Sequence, residues 1–89
     1  MNREQMDNQA ATSWIAGEIK VLHRTIGQPN ASAAARSVTT MALVLGVISL
    51  EQSKEFVAEI ESIVDAHRDQ VLAACREKMT TISAPHQNL

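Results

Sequence analysis

Residues 41–49 read MALVLGVIS and form the most apolar stretch of the chain. Such a stretch fits a membrane segment, the turn of a DNA-reading motif, or a corner between two helices. The apolar run around it, 38–50, falls well short of the ~20 residues that a helix needs to cross a bilayer, and Arg36 lies just before it. We therefore expect no membrane role for this segment.

The same residues partly fit the first helix and turn of a helix-turn-helix motif, which would extend over 41–56. The matching residues are Met41, Ala42, Leu45, Gly46 and Val47. The fit ends there, because Gln52 and Glu55 occupy positions of the second helix that should be apolar. A recognition helix also needs side chains for phosphates and base edges, whereas this one would present an acidic set. We therefore favour a corner, in which Gly46 ends one helix and Ser49 begins the next.

Apolar residues recur at helical spacing on both sides of this corner and predict three helices. The predicted helices span about 4–26, 31–45 and 50–79. Gly27 and Pro29 end the first helix, and Asn30 is the predicted N-cap of the second. The predicted inner face of the short, Ala-rich middle helix consists of Ala31, Ala34, Ala35, Val38, Met41, Ala42 and Leu45. Since the chain has one Trp, one Phe and no Tyr, its core must be aliphatic, which suits closely packed helices.

The third helix is informative because of its length. Ser49 and Gln52 have the spacing of a capping box at its start. Its apolar stripe consists of Phe56, Ile60, Ile63, Val64, His67, Val71 and Ala74. A helix of about 30 residues is ~45 Å long, whereas a compact chain of this size has a diameter near ~30 Å. The helix therefore overhangs its own domain, and a second copy would cover the stripe.

These features predict an all-α fold, a three-helix hairpin or bundle that is completed by dimerisation. The chain forms a single helical domain over 1–80, followed by a flexible tail over 81–89. One cysteine, Cys75, excludes an internal disulfide and fits a reducing compartment, and the polar N-terminus does not match a signal peptide. We therefore expect a cytoplasmic protein.

No residue pattern in the sequence indicates an enzyme. A catalytic site needs a nucleophile beside a base, paired carboxylates in a cleft, or a loop that cradles phosphate, and none of these patterns is present. His67 and Cys75 are roughly 12 Å apart along a helix, too far to chelate one metal ion. We expect neither a metal nor a cofactor, and we interpret His67 as a packed histidine rather than a pH-sensitive or ligand-binding group.

The first helix carries a second apolar stripe that combines small residues with one aromatic anchor, Trp14. Such stripes either pack inside a monomer or mark an interface. On the middle helix, Leu43 and Val44 point away from its inner face and add apolar surface. The predicted interface, with a partner or with a second copy, comprises Met6, Ala10, Trp14, Gly17, Val21, Leu43, Val44, Phe56, Ile60, His67 and Val71.

The predicted function is that of a non-enzymatic protein–protein interaction module. We picture a homodimeric regulator or inhibitor that binds and occludes a protein partner, a type that phages and plasmids often carry. Partner binding would use the Trp14 stripe and the acidic faces of the third helix.

The alternative is a nucleic-acid-binding regulator, either through the degenerate motif at 41–56 or as a helical-bundle RNA binder. Residues 65–77, DAHRDQVLAACRE, resemble in composition the plasmid-encoded RNA-binding helical hairpins that dimerise into four-helix bundles. A dimer could combine two basic patches around Lys20, Arg24 and Arg36. A net charge of −2 and scattered basic residues disfavour this alternative, because nucleic-acid binders carry a basic surface patch.

Overall fold

The chain folds into three α-helices joined by two short connections. The computed structural model describes the backbone of residues 2–87 and the side chains of 2–79. The helices are α1 (Arg3–Thr25), α2 (Ala33–Val44) and α3 (Leu50–Gln87). No strand occurs between residues 2 and 87, which confirms the all-α prediction. Over the same residues, no helix has the length and hydropathy of a bilayer-spanning segment.

The N-terminus of α1 is closed by a capping box that the sequence reasoning missed. The side-chain oxygen of Asn2 accepts a hydrogen bond from the Gln5 N–H at 2.8 Å, and the Asn2 N–H donates to Gln5 Oε1 at 3.0 Å. Both bonds satisfy donors that a helix start leaves without a partner. The Asn-x-x-Gln spacing in the sequence could have predicted this capping box.

The connection between α1 and α2 corrects one prediction. The helix ends at Thr25, whose carbonyl accepts a hydrogen bond from the Gln28 N–H at 2.8 Å. Asn30 is not the N-cap of α2, since the helix begins at Ala33 after the N-cap Ser32. Asn30 instead has a φ of 57°, the left-handed region that Asn tolerates better than most residues. It therefore turns the chain rather than capping the helix.

The corner that the sequence predicted at Gly46 is present as a Schellman motif. Gly46 has a φ of 74° and donates its N–H to the Leu43 carbonyl at 3.0 Å. The Val47 N–H donates to the Ala42 carbonyl at 3.1 Å, which completes the pair of bonds that defines this motif. Val47 then packs against the core and fixes the direction in which the chain leaves α2.

The predicted capping box at the start of α3 is also present, and its Gln52 side chain is hydrogen-bonded to α1 as well. The Gln52 N–H donates to Ser49 Oγ at 3.1 Å, and the Ser49 N–H donates to Gln52 Oε1 at 2.9 Å. Asn8 of α1 donates its side-chain amide to the Val47 carbonyl at 2.8 Å and to Gln52 Oε1 at 2.9 Å. The corner and α1 are thus joined by side-chain hydrogen bonds.

The core is small and aliphatic, as expected from the composition. Its buried apolar residues are Ile15, Ile19, Leu22, Ala35, Ala42, Ile48 and Ile60. Thr39 is buried beside them because its hydroxyl donates to the Ala35 carbonyl at 2.7 Å. The small side chains of α2 therefore face the core.

The face of α2 that packs against the core differs from the face that the sequence predicted. Met41 and Leu45, both assigned to that face, are 58% and 69% exposed. Thr39 takes the inner position because its hydroxyl is satisfied within the helix and its small volume lets α2 approach α1 and α3 closely.

The long helix α3 extends far beyond the part of the chain that packs against it. Every described side chain from 68 to 79 is exposed, whereas buried and half-buried positions alternate with exposed ones up to 67. We call residues 2–67 the head and 68–87 the distal half of α3. The radius of gyration is 19.1 Å, against about 12 Å for a compact chain of this length. The overhang deduced from the sequence is therefore present.

The helix also ends later than the sequence predicted. α3 continues to Gln87 rather than ending near 79, so residues 81–87 of the predicted tail are helical. No Gly or Pro occurs between 50 and 84 to stop the helix. Residues 88 and 89 lie outside the described part of the chain.

We expect Gly46→Ala to lower the free energy of unfolding by about 1–2 kcal/mol, because an L side chain is strained at this left-handed position. A Cβ at Gly46 would contact nothing within 4 Å, so backbone strain alone sets the effect. Gly27→Ala is the matched control, since Gly27 has equally open surroundings without a positive φ. Urea unfolding followed by circular dichroism measures both, and equal effects of the two variants would contradict the strain argument.

Candidate protein-binding surface

Ten large apolar side chains are exposed in the described part of the chain, and seven of them belong to the head. On α1 and α2 they are Met6, Trp14, Val21, Met41, Val44 and Leu45. Further examples on α3 are Leu50, Val71, Leu72 and Met79. Isolated exposed apolar residues are normal, but a contiguous patch marks a contact surface.

Several of these residues line a cavity of about 240 Å³ between α1 and α2, which we call the α1–α2 groove. Ala10, Ala11 and Ala42 are among the small residues that line it. Trp14 and Met41 also line it, and they are 59% and 58% exposed. Small side chains beside two large exposed ones give a shape that accepts an apolar side chain or a helix face.

A more polar cavity of about 550 Å³ continues the groove towards the corner. The two cavities share Asp7, Leu45 and Val47. Glu4 and the hydrogen-bonded pair Asn8 and Gln52 line only the second cavity. None of the residues that line either cavity is Lys or Arg. The groove is therefore apolar at one end and carries carboxylates at the other.

A third cavity, of about 470 Å³, lies between the α1–α2 connection and the middle of α3. His67 lines it together with Val64 and Val71, and Ile26 contributes from the end of α1. His67 is half-buried rather than enclosed in the core. The structure thus places His67 at an open, mostly apolar depression, and its interpretation as a packed histidine stays a prediction.

The structure separates the predicted interface residues into three groups. Exposed residues are Met6, Ala10, Trp14, Gly17, Val21, Val44 and Val71. Half-buried residues are Leu43, Phe56 and His67, of which Leu43 and Phe56 pack against the core. Ile60 has 0% exposure, so it belongs to the core of its own chain and is not available to a partner in this structure. The assignment of the exposed group to an interface stays a prediction.

Sequence reasoning missed five exposed large apolar residues, one of which is Leu50 at the start of α3. Met41 and Leu45 were assigned to the inner face of α2, because the pattern gave no weight to a buried threonine. Leu72 and Met79 were left out because they lie beside the main stripe of α3, although their seven-residue spacing was a usable signal for a second one.

The outer face of α3 is acidic. At ~100° per residue, four of its carboxylates fall within about 40° of the side opposite the buried Ile60, and those of Glu59 and Glu61 lie about 100° to either side of Ile60. The exposed acidic residues are Glu51, Glu55, Glu59, Glu61, Asp65 and Asp69. Arg68 lies 3.7 Å from Asp65 and 4.0 Å from Asp69, and such exposed pairs contribute little to stability. The face stays negative overall.

The geometry of the corner weakens the helix-turn-helix interpretation. The connection between α2 and α3 spans 45–49, longer than the ~3–4 residues of that motif's turn. Arg36, one residue of the basic patch considered above, donates its Nε to Ser32 Oγ at 3.1 Å and lies 4.0 Å from Glu61. This guanidinium is therefore engaged within its own chain.

In the described part of the chain, no group of three or more His, Cys, Asp or Glu side chains could hold a metal ion. Comparisons with protein-family models, curated proteins and solved structures found no match. The functional argument therefore depends on the surface geometry alone.

We expect Trp14→Ala to change the free energy of unfolding by less than about 1 kcal/mol, because the side chain is mostly exposed. Leu22→Ala is the control, and it should cost about 2–5 kcal/mol because Leu22 is buried in the core. Urea unfolding, at a dilution at which the chain sediments as a monomer, compares them. A loss for Trp14→Ala as large as that for Leu22→Ala would place the indole in the core and contradict the surface assignment.

Proposed function

We propose that this protein is a non-enzymatic protein–protein interaction module, a homodimeric regulator or inhibitor that binds and occludes a protein partner. The α1–α2 groove is the observation that supports this proposal. Trp14 and Met41 are more than half exposed there, and the small side chains of Ala10 and Ala42 line the same groove. Exposed aromatic and Met side chains around a groove are typical of contact surfaces.

The groove suits an apolar helix face better than a small molecule. It lies between two helices and is partly open to solvent, a shape that suits helix-in-groove recognition. Ala10 and Ala11 would let the backbone of that helix approach closely. Trp14 would supply a large apolar contact area at a low cost in side-chain entropy.

The charge of the head indicates which kind of partner it can bind. The acidic outer face of α3 and the carboxylates of Glu4 and Asp7 at the groove disfavour a polyanion and favour a neutral or basic protein surface. A cytoplasmic location is part of the proposal, since the single cysteine, Cys75, is an exposed free thiol.

We expect Trp14→Ala to reduce capture of the partner from an extract of the native host by more than tenfold. The readout is tagged-protein capture followed by mass spectrometry. Ser13→Ala, at an exposed neighbouring position of α1, should capture the same protein at the wild-type level. An unchanged yield with Trp14→Ala would show that the groove is not the binding surface.

We expect the nucleic-acid alternative to fail a direct binding test. The protein should not retard duplex DNA or hairpin RNA in a gel at about 50 mM salt, because its helix faces lack the positive patch that neutralises phosphates. Retardation at low salt that falls steeply as salt rises would instead favour the RNA- or DNA-binding regulator.

A further inference from the structure

We propose that the α1–α2 groove is occupied by the distal half of α3 from a second copy of this chain. The exchange is reciprocal, so each copy covers the groove of the other. This inference rests on the proposed function, because it names a second copy of this chain as the occupant of the same groove, which a different protein partner would enter only by displacing that copy. Four observations support a second copy: the length of the distal half, its exposed apolar stripe, the exposed area of the chain, and the charges of the two surfaces.

The two halves of α3 have matching lengths. Residues 50–67, which belong to the head, span about 27 Å, and the helical residues 68–87 beyond it span about 30 Å. In an antiparallel pair of chains, each distal half therefore extends along the full length of the partner's head. The 73 Å extent of the single chain leaves room for this overlap.

The distal half presents an apolar stripe with no partner in its own chain. Leu72, Cys75 and Met79 are exposed and lie three and four residues apart, so they share one side of the helix. In proteins, most of the stability of a helix comes from tertiary packing of an apolar face. The stripe is a ridge of the kind that an apolar groove between two helices accepts.

The exposed area matches what a stable dimer needs. The chain exposes 6758 Å², whereas a folded monomer of its mass exposes about 5,100 Å². The excess is about 1,600 Å² per copy, or about 3,200 Å² for two copies, within the ~2,000–5,000 Å² buried by obligate homodimers. One exchanged helix per chain would bury both apolar surfaces at once.

The charges of the two surfaces are complementary. Residues 1–67 carry eight acidic and five basic side chains, whereas residues 68–89 carry two acidic and three basic ones. Glu4 and Asp7 line the polar end of the groove, and Lys78 lies beside the stripe of the distal half. Opposite signs on the two surfaces favour the exchange over pairing of two acidic heads.

The competing arrangement pairs the two distal halves with each other. It would cover the distal stripes but leave both α1–α2 grooves open to solvent. The exchange covers both surfaces and closes on itself with two-fold symmetry, so it produces a dimer and no larger assembly.

Cross-linking distinguishes the two arrangements, because Cys75 is the only cysteine and lies on the distal stripe. Ala10→Cys and Gly17→Cys place a thiol on the groove side of α1, and Ala58→Cys places one on the exposed side of α3. With a short bismaleimide, we expect at least one groove variant to give a covalent dimer linked to Cys75. Peptide mass spectrometry identifies the linkage.

The wild-type protein and Ala58→Cys should give no such dimer. A Cys75–Cys75 link in the wild-type protein would show pairing of the distal halves and overturn the exchange. Failure of both groove variants to link to Cys75 would overturn it as well.

Sedimentation equilibrium gives the second test. We expect the wild-type protein to have twice the 9.7 kDa chain mass at micromolar concentration. Leu72→Asp and Trp14→Ala should each weaken the dimer by about 30-fold or more, the effect of losing an interface hot spot. Gln70→Asp, on the opposite side of the distal helix, should not.

A chain that stays monomeric at high micromolar concentration would overturn the exchange. If Trp14 were still required for capture of another protein, the partner-binding part of the proposed function would survive that result, and its homodimeric part would fail. If Trp14 were required for neither, both would fail.

Discussion

The structure depends on one constraint: α3 is about twice as long as the bundle that packs against it. Its first half is held by α1 and α2 around Ile60, whereas the side chains of residues 68–79 in its second half are all exposed. A helix in water gains most of its stability from tertiary packing of an apolar face. We therefore infer that the distal half packs against a partner surface, and the α1–α2 groove of the head is the surface that we propose.

The head presents that groove because of how its corner is built. The left-handed Gly46 and the capping box of Ser49 and Gln52 reverse the chain within five residues, and Asn8 ties α1 to the same point. This arrangement holds the N-terminal half of α1 beside the C-terminal end of α2. Burial of small residues on α2 then turns Met41 outwards, opposite Trp14. The apolar groove is thus a consequence of the same hydrogen bonds that form the corner.

Local signals in the sequence were enough to predict the corner, the capping box of α3 and the overhang of its C-terminal part. These features depend on the types of residues that lie a few positions apart in the sequence, as around Gly46 and Ser49. The orientation of α2 could not be predicted, since it depends on Thr39 satisfying its hydroxyl within the helix. The hydrogen bond between Asn8 and Gln52 joins residues far apart in the chain and leaves no periodic pattern. The groove, which depends on both, was therefore identified only in part, through Ala10 and Trp14.

Hydrogen exchange measured by mass spectrometry as a function of protein concentration tests the central claim most directly. The side chains of 68–79 are all exposed in the single chain, so the amides of this segment should exchange rapidly at high dilution. The account predicts that their protection rises with concentration, together with that of 10–17 on α1. Protection of the distal half that does not change with concentration, or that rises while 10–17 stays unchanged, would contradict it.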